Sequence, residues 1–342
     1  MIDRQERVRA FSSLGNLLTS FIRDFESDTY AQDRAQVGRS FHKNGWFTEE
    51  EVMKAITYWA EVLQEDTLSA WTTDYPQVES SKRIGLILAG NIPMVGFHDI
   101  LSVIISGHTA IIKPSSSDDV LIPWIMEKLR DAYPASSHWF EVTSDLLKDY
   151  DAVIATGSNN SARYFEQYFG HFPNIIRKNR TSVAVLSGDE SEGEMEGLMR
   201  DALQYFGLGC RNVTKLFVPE DYDLNKIFAA SVPFSNVMQN KKYANNYAYH
   251  KTLLLMQGKE VLENDVLMLT PDKSLYSPVS VLHYERYTDL TMLTSRLASH
   301  EGELQCIVGQ EHTPFGKAQN PGLDDYADGV DTMHFLCNLK PS

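Results

Sequence analysis

The chain has 342 residues, 43% hydrophobic and 23% charged, which suits two domains or one large α/β unit and excludes disordered or fibrous chains. Its 46 Asp and Glu side chains outnumber 31 Lys and Arg, giving a formal charge of −15 with no basic patch, so nucleic-acid binding is excluded. Three cysteines, Cys210, Cys306 and Cys337, are odd in number and far apart, which excludes a disulfide framework and Cys-x-x-Cys metal sites and fits a reducing cytoplasm.

The first seven residues are charged from Asp3 onward and carry no apolar signal core. Residues 1–70 are expected to be helical. Val8, Phe11, Leu14, Leu18 and Phe21 recur at helical spacing, and Thr48 with Glu51 three residues on forms a capping box before Val52, Ile56, Trp59 and Leu63. A polar connector follows, with residues 71–82 as a possible projecting arm. Short apolar strands are then expected at 84–88, 109–112, 152–155 and 183–186, separated by helices at 96–106, 118–129 and 161–169. Strands without polar alternation, separated by helices, indicate a parallel sheet covered on both faces, with ligands at the strands' carboxyl ends. The stretch 83–113 is broken by Asn91, Pro93, Asp99 and two histidines, so no run of ~18 apolar residues spans a membrane.

Beyond residue 190 the pattern predicts a helix carrying Met195, Leu198, Met199 and Phe206 on one stripe, ending at Gly207-Leu-Gly-Cys210. Strands are expected at 213–218, 252–256, 279–284 and 305–308, with helices at 224–230 and 289–298, and a last strand at 333–339. The acidic stretch at 190–196 marks the expected boundary between two lobes.

Four segments carry groups capable of chemistry. Cys210 stands between glycines and Arg211, where a neighbouring cation favours the attacking thiolate; a buried, inert thiol is the competing reading. Asn91, in Ala89-Gly-Asn-Ile-Pro93 after a strand, offers a carboxamide to an oxyanion or simply completes a turn. Lys113 with Ser115 and Ser116 follows the next strand and suits ribose hydroxyls or a phosphate, or else the serines cap the next helix. Thr156, Gly157 and Ser158 open a helix whose first N–H groups suit a pyrophosphate, although a single glycine falls short of the dinucleotide fingerprint. Tyr243, Tyr247 and Tyr249 line a pocket or pack a core. The 10 histidines show no metal spacing, so no metal is expected.

Taken in order, these segments resemble the aldehyde dehydrogenase superfamily, and within it the fatty-acyl-CoA reductases, the family of the bacterial luminescence reductase. The resemblance runs from about Arg83 to the C-terminus and closes with Pro321-Gly-Leu-Asp-Asp-Tyr-Ala-Asp-Gly329. It implies two Rossmann-like three-layer αβα lobes with parallel sheets. Residues 1–194 would hold the N-terminal helices and the cofactor domain, 195–322 the catalytic domain, and 323–342 a C-terminal segment in an oligomer interface. Cys210 would be the nucleophile and Asn91 the oxyanion donor. Lys113, Ser115 and Ser116 would meet the adenosine ribose, and Thr156, Gly157 and Ser158 the pyrophosphate.

Two departures set the direction implied by the resemblance. Hydrolytic relatives carry a water-activating glutamate near the segment that reads Asn174-Ile-Ile-Arg177-Lys178-Asn-Arg180 here, and no carboxylate stands in it. The glutamate that usually precedes a Phe-Gly-Pro-Val segment is also replaced, by Ser274-Leu-Tyr-Ser-Pro278-Val. The implied function is an NAD(P)H-dependent acyl-CoA reductase, with NADPH ahead of NADH because Ser116 stands where NAD-preferring relatives carry a glutamate. Its partners would be an acyl-CoA substrate and further copies of itself, as a dimer or tetramer. The alternatives are an acyl-phosphate or semialdehyde reductase using Arg177, Lys178 and Arg180, an aldehyde-oxidising dehydrogenase, and a non-catalytic nucleotide-binding protein.

Overall fold

A computed structural model describes residues 3–340; the ends of the expected N- and C-terminal segments, 1–2 and 341–342, lie outside it. The chain divides into two compact units, changing over between Lys178 and Asn179 and again between Pro321 and Gly322.

The first unit opens with four helices: α1 (Arg4–Arg23), α2 (Ala31–Lys43), α3 (Glu49–Val62) and α4 (Glu65–Thr72). The expected stripe of α1 is fully buried at Val8, Phe11, Leu14, Leu18 and Phe21, while Asp3 caps the helix through the N–H groups of Gln5 and Glu6. Thr48 caps α3 through the Glu51 N–H at 3.4 Å. The α/β part follows as β1 (Arg83–Ile87), α5 (Phe97–Ser106), β2 (Thr109–Lys113), α6 (Leu121–Ala132), β3 (Phe140–Val142), β4 (Ala152–Thr156), α7 (Asn159–Phe169) and β5 (Asn174–Arg177).

These five strands form one parallel sheet in the order β3-β2-β1-β4-β5. Ile84, Leu86, Ala110, Ile112, Val153 and Ala155 are buried on neighbouring strands, as expected of a sheet with both faces covered. α1 contributes more than apolar surface. Its buried Arg7 donates to the carbonyls of Ile104 (2.6 Å) and His108 (2.7 Å), closing the C-terminal end of α5.

The second unit contains β6 (Thr181–Val185), α8 (Glu192–Leu203), β7 (Val213–Pro219), α9 (Asn225–Ser231), α10 (Lys241–Met256), β8 (Leu262–Glu263), β9 (Met268–Pro271), β10 (Val281–Tyr287), α11 (Leu290–Ser299) and β11 (Leu304–Val308). Its sheet runs β11-β6-β7-β10-β9-β8, parallel except for the β8–β9 pair. Val183, Phe217, Leu293, Leu297 and Leu304 form a core on it. Lys215, fully buried on β7, donates to Glu285 and to the Asp272 carbonyl, both at 2.8 Å, and so carries its charge into the interior.

Several expected boundaries move. The changeover lies at 178/179 rather than 194/195, because the strand expected at 183–186 is β6 and pairs with β7 and β11 of the second sheet. The strand expected at 252–256 is the last turns of α10, started by the Asn240 side chain on the Lys242 and Tyr243 N–H groups. The C-terminal strand expected at 333–339 is instead a helix, α12 (Thr332–Cys337), which packs on α5 in the first unit. Residues 71–76 are no projecting arm. Arg4 grips the carbonyls of Thr72 (3.0 Å), Tyr75 (2.6 Å) and Pro76 (2.5 Å), and the Tyr75 hydroxyl meets Tyr326 (2.9 Å) and Asp331 (3.0 Å). Among the described residues no helix is long and apolar enough to cross a membrane.

Candidate functional site

In the first unit the chain runs outward from β1 to β2 and β3, then crosses back to β4 on the other side of β1. In open parallel sheets the carboxyl ends of the strands beside such a reversal are the place that takes ligands. Ile87 at the end of β1 stands level with Lys113 of β2 and Ala155 of β4. The loops carrying Asn91, Lys113 to Ser116, and Thr156 to Ser158 therefore leave the sheet side by side on one edge.

Asn91 is exposed in the β1–α5 loop. That loop is fixed from the next one. A Cβ on Gly90 would stand 2.7 Å from the Ser115 Cβ, so only glycine lets the two loops touch. Met94, three residues after Asn91, has left-handed backbone (φ 53) and donates its N–H to the Asp118 carboxylate at 2.8 Å. Asp118 is 2% exposed, and burial pushes it up to about 7 against the pull of the Met94, Leu121 and Ile122 N–H groups. In the sequence Asp118 is only the first position of the helix expected at 118–129; its link to Met94 joins two loops and has no local signal.

The serine cluster does not cap α6 as the simpler reading held. The helix starts at Leu121, no side chain caps its Val120 position, and the Ser115 hydroxyl instead accepts the Ser117 N–H at 3.2 Å. Ser116 and Ser117 remain exposed, and Lys113 is half-buried. Of the nearby carboxylates, Asp118 is buried and Asp119 pairs with Lys43 at 2.9 Å. One ammonium and exposed hydroxyls, with the exposed Asp119 carboxylate held by Lys43, suit a ribose phosphate.

Ser158 is the N-cap of α7, accepting the Ser161 N–H at 3.2 Å. The Gly157 N–H is taken by the Arg177 carbonyl at 3.3 Å, so it extends the sheet rather than facing a phosphate. An anion on this loop would meet the first turn of α7 instead. Arg177 itself is buried, ion-paired with the buried Asp99 and bonded to the Thr332 hydroxyl at 2.8 Å. Lys178 pairs with Glu166 at 2.9 Å, and Arg180 donates to the Glu301 and Leu304 carbonyls. The three cations expected at a substrate mouth thus have structural work, and burial withdraws Arg177 from it.

The half-buried Cys210 belongs to the second unit, at the first corner of a tight turn from Gly209 to Asn212. The turn is closed twice. The Asn212 N–H donates to the Gly209 carbonyl (3.0 Å), and the Gly209 N–H donates to the Asn212 side chain (2.8 Å). Asn212 is fully buried and also donates to the carbonyls of Asp201 (2.8 Å) and Gln204 (2.9 Å) at the end of α8. Just before this turn, Tyr205, Phe206 and Gly207 are all left-handed, at φ 52, 57 and 75. Two non-glycine residues in that region cost on the order of 1–3 kcal/mol each, offset here by burial of both rings, Phe206 lying 6.1 Å from Tyr243. Tyr243 is a core residue whose hydroxyl bonds the Val266 carbonyl at 2.9 Å; Tyr247 is also buried and Tyr249 is exposed.

No protein-family model matches the chain, and no curated protein matches it. Solved structures do. Aldehyde dehydrogenase 21 from Physcomitrella patens, in complex with succinate, is similar at 11% identity and TM-score 0.67, over 91% of this chain and 74% of that one. An NAD-dependent aldehyde dehydrogenase from Sinorhizobium meliloti is similar at 13% identity and TM-score 0.64, over 90% and 70%. Aldehyde dehydrogenase C from Pseudomonas syringae, solved with NAD+ and octanal, is similar at 13% identity and TM-score 0.61, over 84% and 68%. The fold is that of the aldehyde dehydrogenases.

Proposed function

We propose that the chain is a nicotinamide-dependent oxidoreductase of the aldehyde/acyl level, and specifically a reductase of acyl-CoA thioesters. The observation that carries this reading is Cys210, held at the corner of a doubly closed turn, in a chain with an aldehyde dehydrogenase fold. The Cys210 thiolate attacks the thioester carbonyl, and the oxyanion that forms is met by the Asn91 carboxamide. Coenzyme A leaves as its thiolate, so the acyl group stays on Cys210 as a new thioester. Lys113, Ser115 and Ser116 hold the adenosine ribose of the cofactor, and the loop of Thr156, Gly157 and Ser158 brings the first turn of α7 to its pyrophosphate. When bound, the reduced nicotinamide would supply hydride to the acyl carbon; the bond from that carbon to the Cys210 sulfur then breaks, releasing the aldehyde and returning Cys210 as its thiolate.

The absence of a carboxylate between Asn174 and Arg180 favours reduction over oxidation. A thioester that waits for hydride is lost if a base activates water beside it, whereas an aldehyde-oxidising enzyme requires that base. The test is a panel of acyl-CoAs of different chain length with NADPH, assayed for aldehyde. Intact-protein mass spectrometry without cofactor should show one acyl adduct on the parent and none on Cys210→Ala. An adduct on Cys306 or Cys337 would overturn the assignment.

A further inference from the structure

Ser182, on β6, stands level with Val213 of β7 and is fully buried. Its hydroxyl donates to the Cys210 carbonyl at 3.0 Å and accepts both the N–H (3.2 Å) and the thiol (3.1 Å) of Cys306 on β11. A hydroxyl has one proton to give and two lone pairs, so all its capacity is engaged and its orientation is fixed. The Cys210 peptide is therefore tied to the sheet through Ser182 and, one residue earlier, to α8 through Asn212. Through this one hydroxyl β6 and β11 are both joined to the turn that carries Cys210.

Resting on the reading of Cys210 as nucleophile, we propose that Ser182 is a positioning residue that sets the Cys210 backbone for attack on an acyl carbonyl. It touches no reacting atom. It fixes the peptide from which the thiol projects, and misplacement on the scale of 1 Å costs an attacking group about a hundredfold.

The experiment uses 4-nitrophenyl acetate, an activated ester that acylates a cysteine without coenzyme A or nicotinamide, with burst kinetics and site-resolved mass spectrometry. Cys210 attacks the ester carbonyl, the acetyl group moves to sulfur and 4-nitrophenolate leaves. Ser182→Ala should slow the acylation burst at Cys210 about tenfold or more. Alkylation of Cys210 by iodoacetamide, which needs no oxyanion geometry, should stay within about threefold of the parent. Ser182→Thr, which keeps the hydroxyl, should recover most of the burst, and Ser182→Cys, which keeps the volume with a weak donor, should remain slow. A burst in Ser182→Ala equal to the parent's overturns the proposal. So does a loss accompanied by faster hydrogen exchange across β7 and β10, which would report a loosened second unit. A parent that is acylated by the ester but by no acyl-CoA refutes the proposed substrate and leaves Ser182 to be judged by the burst. A parent with no burst at Cys210 overturns the role of Ser182.

Discussion

At the scale of single residues, a buried carboxyl holds the loop of Asn91, one of the exposed assigned groups. Asp118 holds the Met94 N–H and with it the left-handed turn that follows Asn91. Because burial raises its folded pKa to about 7, ionisation is penalised in the folded chain. The folded state thus loses stability as pH rises from about 4 to about 7, and the penalty is complete above that, on the order of 3–4 kcal/mol. Asp201 behaves alike over a narrower window, raised by burial to about 6 although the Gly316 and Ala318 N–H groups oppose the shift. Asp118→Asn keeps an acceptor for Met94 and removes the charge. It should match the parent near pH 4 and exceed it in denaturant midpoint at pH 8. A gap between the two proteins that does not change with pH would contradict this. At Asn91 itself, replacement by alanine should lower kcat by ~10²–10³ with little change in KM, since in the proposed reaction its amide would act on charge that develops only during attack. Equal effects on both constants would reduce Asn91 to a turn residue.

At the scale of elements, helix α8 organises the second unit. It opens with a reciprocal capping box between Ser191 and Glu194, ends on Asn212, and is crossed by the loop at Phe315 and Gly316. A Cβ on Gly197 would lie 2.8 Å from the Phe315 carbonyl carbon and 2.9 Å from the Gly316 nitrogen, and backbone on both sides has nowhere to yield. Gly197→Ala should therefore destabilise the unit by about 1–3 kcal/mol, the cost typical of overpacking, despite alanine's better helix propensity. A thermal midpoint unchanged or raised would show that the loop relaxes away. The elements also divide by how they could be read. β1, β2 and β4 were legible because a strand buried on both faces shows no polar alternation, and α1 because its stripe repeats every three to four residues. The apolar run Leu253 to Met256 read as a strand, yet Leu255 and Met256 are exposed on the last turn of α10, so the run reflects no buried face. Ser182, Asn212 and Asp118 went unread as supporting residues because each acts across a loop or between strands. The return of the C-terminus to the first unit rests likewise on long-range bonds, from His98 to the Leu323 carbonyl and from His108 to the Leu336 carbonyl, each 3.0 Å.

At the scale of the whole molecule, two units with separate sheets let a ligand of one be detected in isolation. The assigned cofactor residues all belong to the first unit, so NADPH at about 100 times its Kd should add ~2.7 kcal/mol to opening of β1, β2 and β4 and leave β7 and β10 unchanged in hydrogen exchange. Which reduced nucleotide does this better depends on one loop set against the charge of the entire chain. At −15 the molecule repels a further phosphate, so any preference for the 2′-phosphorylated cofactor has to be local. Ser116 is exposed three residues after Lys113, Asp118 is buried, and the exposed Asp119 is paired with Lys43, so the nearby carboxylates are engaged elsewhere. NADPH should exceed NADH in kcat/KM by about tenfold, or ~1.4 kcal/mol. The margin should shrink as salt rises, because lysine binds phosphate as a point charge. Ser116→Glu places a carboxylate where the phosphate would stand, where like charges repel, and the same group accepts bonds from an unphosphorylated ribose. It should therefore reverse the order. Equal kcat/KM for both cofactors in the parent, or protection by NADPH appearing first in β7 and β10, would remove Lys113 and Ser116 from the cofactor site.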